Sequence, residues 1–308
     1  MRNGAKSTHP AVMGAPLWIA RAFSRQRRAD AERSDAPSTG GSVTERTIHH
    51  SAGHYVASVR TRQLLDAMEE RLATLPLRTE TVPHDPTVTA PNAAVLVLLC
   101  RPHGGSPATG EELAFALTER SKTVRTHRGE MSFPGGKLRQ GDTSVLQTAL
   151  RETCEEIGLE PRHVRVLGQF HEYRPLLQSS NLRVATFIGY MNDCVDPSAL
   201  RVNPQEVKNL FIVPQRLFRL CRHLTSNTDA RTPECSTTSD EHGKVPCTAI
   251  PAGNAADASN GVHEAAELPT ENGTIYFALP HHCTGGKLVW GMTARIIDEV
   301  MQFMAECS

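Results

Sequence analysis

Residues 133–159 read FPGGKLRQGDTSVLQTALRETCEEIGL and join a glycine-rich turn to an acidic segment. Apolar residues recur at helical spacing over 145–157, and Gly158 stands where a helix end is expected. Either Thr143 or Ser144 is suited to cap the start of this helix. The stretch therefore predicts a loop, a helix and a second loop.

Three glutamates, Glu152, Glu155 and Glu156, lie near the end of the predicted helix. Their spacing of three and four residues places them on one side of it. On an exposed face each like-charge pair costs only ~0.2–0.5 kcal/mol, so a solvated acidic surface is one interpretation. In a partly dry cleft each pair at ~6 Å costs roughly 3 kcal/mol, which a divalent cation would remove. Because Mg²⁺ binds carboxylate oxygens together with substrate phosphates, the second interpretation is a metal site.

The same stretch resembles the Nudix box, which ends in Arg-Glu-apolar-x-Glu-Glu-x-Gly-apolar. Residues 151–159 match that end well. Two features depart from the general pattern. Asp142 stands where a glutamate is usual, and the spacing from Asp142 to Arg151 is one residue longer.

The residues before the box resemble the coenzyme A pyrophosphatase branch of the Nudix family, and they account for both departures. That branch tends to carry the aspartate and the extra residue. It also carries Leu-Thr-x-Arg-Ser, then Arg, Gly and Phe-Pro-Gly-Gly at set intervals. The matching residues are Leu117, Thr118, Arg120, Ser121, Arg125, Gly129, Phe133, Pro134, Gly135 and Gly136.

This resemblance implies an α/β fold, the Nudix α/β/α sandwich with a mixed sheet. It also implies metal-dependent hydrolysis of coenzyme A and acyl-coenzyme A to 3′,5′-ADP and (acyl-)4′-phosphopantetheine. Glu152 and Glu156 are then the expected Mg²⁺ or Mn²⁺ ligands, with Glu155 as a further ligand or general base. Arg151 is expected to orient a neighbouring carboxylate rather than to contact the substrate.

The resemblance assigns substrate binding to Arg120, Arg125, Gly129, Phe133, Gly135 and Gly136. The arginines suit this role because guanidinium groups bind phosphate in a bidentate manner, and coenzyme A carries a 3′-phosphate and a diphosphate. The alternative is that they are ordinary solvated loop charges. The two glycines of the turn allow the backbone to approach a metal site closely.

A further acidic residue, Glu206, follows the box in the stretch NPQEV, which also resembles this branch. Two interpretations remain open for it. It is either another acid near the metals or a polar residue at the start of a strand.

Composition limits the class of partner. The 308 residues carry no net charge and no basic stripe, so nucleic acid is not an expected partner. No apolar run approaches the length of a membrane span. Eight scattered cysteines without a CxxC pair indicate free thiols rather than a disulfide framework or a zinc site. The expected partner is a small molecule, coenzyme A or its thioesters, and the oligomeric state is left open.

The chain divides into three predicted parts. Residues 1–54 form a basic, disordered tail or a mitochondrial presequence, since arginines are frequent and acids are absent before Asp30. Residues 55–91 form a helix and a connector. Residues 92–308 form the Nudix domain, with a disordered insertion at about 223–270 that is poor in aromatic residues.

Three other functions remain open from sequence. The chain could hydrolyse a different nucleoside diphosphate derivative, such as a dinucleoside polyphosphate or ADP-ribose. It could be a non-catalytic module that binds coenzyme A without turnover. It could also recruit partners mainly through its tail and insertion.

Overall fold

A mixed β-sheet forms the centre of the structure. This computed structural model describes residues 58–78, 90–102, 113–122, 129–175, 181–193, 195–224, 248–251, 274–280 and 284–308. The strands in this part of the chain are β1 (Ala93–Cys100), β2 (Ala114–Arg120), β3 (Met131–Ser132), β4 (Gly135–Lys137), β5 (Val164–Tyr173), β6 (Val184–Met191), β7 (Val207–Pro214), β8 (Arg222–Leu224), β9 (Thr248–Pro251), β10 (Ile275–Ala278) and β11 (Leu288–Val289).

The main sheet has the strand order β5–β6–β1–β2–β7–β9, with β3 beside β2 and β4 beside β1. Strands β1 and β6 run parallel, from Ala93 opposite Val184 to Leu99 opposite Tyr190. Strand β1 is antiparallel to β2 and β4, and the other neighbours in this sheet are also antiparallel. The prediction of a mixed sheet is therefore confirmed. A second sheet in the described residues joins β11, β10 and β8.

Helices cover both faces of the main sheet. Those in the described residues are α1 (Val59–Thr74), α2 (Val145–Ile157), α3 (Gln215–Leu220) and α4 (Gly291–Glu306). Alternate side chains of β1 enter two separate cores, as expected for a strand buried on both faces. Val97 and Leu99 pack in the cluster that contains residues of α1 and α4, whereas Leu96 and Leu98 pack in the cluster that contains residues of α2. The predicted α/β/α sandwich is confirmed.

The amino-terminal helix α1 is an integral part of one core. Leu65, Met68 and Leu72 are buried along one side of it, three or four residues apart. Leu72 lies so close to β5 that a Cβ on Gly168 would stand 2.8 Å from the Leu72 Cβ. Helix α1 thus packs tightly against the main sheet.

One sequence prediction needs a correction within the range 223–270. Thr248–Pro251 was expected to be disordered but forms β9, an edge strand antiparallel to β7. Ile250 is 8% exposed and joins the core that contains residues of α2. This burial helps to hold the short segment against the open edge of β7. The other part of the same prediction that the structure describes, at 223–224, lies in strand β8.

Several predictions fall outside the described residues. They concern the tail or presequence at 1–54, the connector at 79–89 and most of the predicted insertion. Among the helices that the structure does describe, none is both long enough and apolar enough to cross a membrane.

Candidate active site

Helix α2 is fixed at both ends by residues that the sequence marks as caps. The Ser144 hydroxyl accepts a hydrogen bond from the Gln147 N–H at 3.1 Å and satisfies one of the free donors at the helix start. Gly158 ends the helix in the left-handed conformation with φ of 72°. A side chain at Gly158 would also approach the Arg201 carbonyl oxygen at 2.9 Å. The two caps therefore fix where the helix begins and ends, and Gly158 sets the direction in which the chain leaves it.

Two of the three box glutamates point inward from α2. Glu152 and Glu156 are 4% and 3% exposed, whereas Glu155 is exposed. The inward pair is four residues apart and therefore lies on one face of the helix, one turn above the other. This buried acidic pair is the starting point of the site.

The glycines of β4 lie directly against this pair. The Gly135 N–H donates a hydrogen bond to Glu156 Oε2 at 3.3 Å. A Cβ at Gly136 would stand 2.5 Å from the carboxylate carbon of Glu152, closer than any two such atoms can come. The Gly-Gly pair thus lets the β4 backbone lie beside both carboxylates, as the sequence predicts for a close backbone approach.

Glu206 completes the acidic cluster from a distant part of the chain. One carboxylate oxygen from each of Glu152, Glu156 and Glu206 lies within 4.8 Å of the others. Glu206 is held at the start of β7 because its carbonyl oxygen accepts a hydrogen bond from the Ser121 N–H at 2.8 Å. Of the two interpretations left open for Glu206, the structure favours an acid beside the other two.

The charge on Glu156 is costly in this position. Burial raises the pKa of Glu156 to about 8, and the nearby Glu152 and Glu206 act in the same direction. The guanidinium of Arg120 and the Gly135 N–H oppose this effect. Arg120 Nη1 lies 3.9 Å from Glu156 Oε1, so the first arginine of the upstream signature is beside the acidic cluster.

Asp142 and Arg151 form a rigid support for the cluster. Arg151 Nε and Nη2 each donate to a different oxygen of Asp142 at 2.9 Å, and Nη1 donates to Glu152 Oε1 at 2.8 Å. The Thr148 hydroxyl and the Arg139 N–H also donate to Asp142, at 2.9 and 3.0 Å. These contacts hold the pKa of the Asp142 carboxyl well below its usual range, and the hydrogen bond from Arg151 contributes most. Arg151 therefore bridges Asp142 and the Glu152 carboxylate, and its expected role of orienting a neighbouring carboxylate stays a prediction.

The structure does not bring Glu155 into the acidic cluster. Both its carboxylate oxygens lie near Arg139 Nη1, at 3.1 and 2.8 Å, and Oε2 lies 3.2 Å from Arg151 Nη1. Glu155 follows Arg151 by four residues, the helical spacing of an ion pair, so sequence alone offers this contact as well. Its expected role as a metal ligand or base stays a prediction.

The remaining predicted substrate residues have different surroundings. Phe133 is 3% exposed and packs edge-on against Phe115 in the core. The ring therefore anchors the turn, and the expected role of Phe133 in substrate binding stays a prediction. The Gly129 N–H donates to the Arg120 carbonyl oxygen at 3.0 Å and closes the base of the loop after β2. Arg125 lies outside the described residues.

The donor set of the cluster fits a divalent cation. Its ligand atoms are carboxylate oxygens, which hard cations such as Mg²⁺ prefer. Burial raises the pKa of Glu156 even with Arg120 3.9 Å away, so the negative charge is unfavourable there without a further positive group. A cation at Glu152, Glu156 and Glu206 would offset this cost.

This chain is similar to known proteins in sequence and in structure. The NUDIX domain model matches residues 90–227, a range that holds all three cluster glutamates. The chain is 37% identical to the Nudix hydrolase NudL of Yersinia enterocolitica over 43% of this chain and 61% of that protein. It is 20% identical to a solved Ap4A hydrolase of Caenorhabditis elegans, with a TM-score of 0.29, over 40% of this chain and 80% of that one.

The extent of the matches differs among the relatives. The similarity spans 61%, 40% and 57% of three curated Nudix relatives, from Yersinia enterocolitica, Caenorhabditis elegans and Photorhabdus laumondii. It spans 70% of the human mitochondrial coenzyme A diphosphatase NUDT8, at 30% identity over 70% of this chain. Because this last match covers most of both proteins, we conclude that this chain belongs to the Nudix hydrolase family.

Proposed function

We propose that this protein hydrolyses the diphosphate bond of coenzyme A and acyl-coenzyme A with Mg²⁺ or Mn²⁺. The products would be 3′,5′-ADP and (acyl-)4′-phosphopantetheine. The observation that carries the proposal is the cluster of Glu152, Glu156 and Glu206 with a guanidinium 3.9 Å from one of its carboxylates. The upstream signature and the similarity to a relative named as a coenzyme A diphosphatase support the choice of substrate.

Each residue of the site has a distinct part in this proposal. Glu152, Glu156 and Glu206 would hold the cation, and Arg151 would keep the Glu152 carboxylate in place. A bound cation would neutralise the diphosphate and lower the pKa of the attacking water. Arg120 lies beside Glu156 and would bind the phosphoanhydride oxygens, a contact for which guanidinium is well suited.

The direct test is incubation with coenzyme A and Mg²⁺ or Mn²⁺, with the products identified by mass.

Glu206→Gln should raise the Mn²⁺ concentration needed for half-maximal activity by at least about tenfold, because the cluster loses one charged ligand. Glu160→Gln, which changes an exposed glutamate paired with Arg162, is the matched control.

Turnover of ADP-ribose or a dinucleoside polyphosphate in place of coenzyme A would support the alternative substrates. Binding of coenzyme A without metal and without turnover would support a non-catalytic module.

Arg120 offers a test of how the substrate is placed. Because Arg120 lies beside Glu156, we expect Arg120→Gln to lower turnover of coenzyme A and 3′-dephospho-coenzyme A alike, by about a hundredfold. If the upstream signature binds the 3′-phosphate, Arg125→Gln should instead reduce the preference for coenzyme A over 3′-dephospho-coenzyme A. The measurement is kcat/KM for both substrates. A changed ratio in the Arg120 variant would assign Arg120 to the 3′-phosphate.

We also propose a mitochondrial location. Its support is the basic, acid-poor sequence at 1–28 and the similarity to a human relative that is named as a mitochondrial protein. Residues 1–54 fused to a fluorescent protein should direct it to mitochondria, and a diffuse signal would reject the proposal.

A further inference from the structure

Arg139 contacts two of the three box carboxylates from outside the acidic cluster. Its Nη1 lies within 3.1 Å of both oxygens of Glu155, and its Nη2 lies 3.5 Å from Glu152 Oε1. The loop that carries it is fixed, because the Arg139 N–H donates to Asp142 at 3.0 Å. One guanidinium therefore connects the outward-facing glutamate with a member of the cluster.

This contact divides the box glutamates into two groups with different surroundings. The side chains of Glu152 and Glu156 are 6% and 3% exposed, whereas that of Glu155 is 37% exposed and lies between two guanidinium groups. Arg139 and Arg151 both contact Glu155 Oε2, at 2.8 and 3.2 Å. A divalent cation that approached Glu155 would have to displace Arg139 or remain beside its positive charge.

We propose that Arg139 is an internal counter-ion that limits divalent cation binding at Glu155. It acts as a positioning residue, through Glu155, and confines tight metal binding to Glu152, Glu156 and Glu206. Guanidinium stays protonated at every working pH, so this effect is permanent rather than switched by protonation. The inference rests on the proposed function, because it assumes that the cluster binds a divalent cation.

The test is titration of the metal-free, full-length protein with Mn²⁺ alone. Binding is measured by calorimetry and by the electron paramagnetic resonance signal of free Mn²⁺. The wild-type protein should show one tight site. In Arg139→Gln a second site should bind about tenfold more tightly than any second site of the wild type, because a unit charge is removed a few ångströms away. Arg139→Lys keeps the charge and should restore the wild-type isotherm.

Two further variants separate this effect from a general change in the loop. Adding Glu155→Gln to Arg139→Gln should abolish the gain, since the second site needs the Glu155 carboxylate. Arg162→Gln removes an exposed arginine that is paired with Glu160 and should change nothing. An unchanged isotherm for Arg139→Gln, or a gain that survives without Glu155, would overturn the inference alone. Failure of the wild-type protein to bind Mn²⁺ would overturn the proposed metal-dependent function as well.

Discussion

Glu156→Gln is expected to lower kcat/KM for coenzyme A by about a thousandfold or more, each tenfold being ~1.4 kcal/mol of barrier. The reason is that Glu156 lies within 4.8 Å of the other two carboxylates and also contacts the Gly135 N–H and Arg120. Glutamine keeps the shape and an acceptor for the N–H, but it removes the charge that would hold the cation. The measurement is kcat/KM at saturating Mn²⁺, with Glu160→Gln as the matched control.

The same variant should fold at least as well as the wild type. Because burial raises the pKa of Glu156 from 4.5 to about 8, the folded, metal-free protein binds this proton more tightly than the unfolded chain. The contribution of Glu156 to stability is complete below pH 4.5 and is lost as the pH rises through about 8. Glutamine has no such proton to lose. Without metal, the free energy of unfolding of the variant should therefore exceed that of the wild type, and the difference should grow as the pH rises from 4.5 to about 8.

Urea denaturation with a chelator, at the two ends of this pH range, measures that difference. A variant that turns over coenzyme A at the wild-type rate would remove Glu156 from the active site. A variant that loses both activity and stability at high pH would show that the carboxylate is needed for folding rather than for chemistry.

The sequence predicts best those features that depend on neighbours in the chain. Ser144 and Gly158 mark the two ends of α2, and the apolar run of β1 marks a strand buried on both faces. Arg151 is expected to orient a neighbouring carboxylate, and the structure adds Asp142, from the same local segment, as its partner. In each case the physical cause is a hydrogen bond or a packing contact within a short stretch of chain.

Other features depend on contacts between distant segments, and sequence alone leaves them open. Glu206 joins the cluster because β7 pairs with β2, and its backbone is bonded to Ser121. The strand β9 exists because β7 offers a free edge. A list of motif residues contains neither pairing, so the third carboxylate could be named but not placed.

The box glutamates show a limit of helical spacing. Residues three and four apart share a side of a helix, which suggested one group of three carboxylates. In the structure Glu155 turns to Arg139 and Arg151, while the other two turn to the core. Positions 155 and 156 are about 100° apart around the helix, so they face different surroundings. Which of them is buried depends on the sheet beneath, and that is not a local property.

Gly136→Ala is the second large effect that we expect. The added methyl group would stand 2.5 Å from the carboxylate carbon of Glu152, so the side chain or strand β4 must move. A displacement of about 1 Å at a reacting centre can lower the rate by about a hundredfold, and we expect at least this loss in kcat/KM. Mn²⁺ affinity should fall in parallel, because Glu152 is one of the three proposed ligands.

The control for this variant is Leu138→Ala, which alters an exposed side chain immediately after the same strand and should leave activity unchanged. Thermal unfolding separates a shifted carboxylate from a damaged fold. Because Glu152 is also bonded to Arg151 Nη1, its displacement should disturb the support of the cluster rather than the core beneath it. A Gly136→Ala protein with wild-type Mn²⁺ affinity would mean that the close approach of β4 to Glu152 has no part in holding the metal. The glycine pair of the box would then be needed only for the turn.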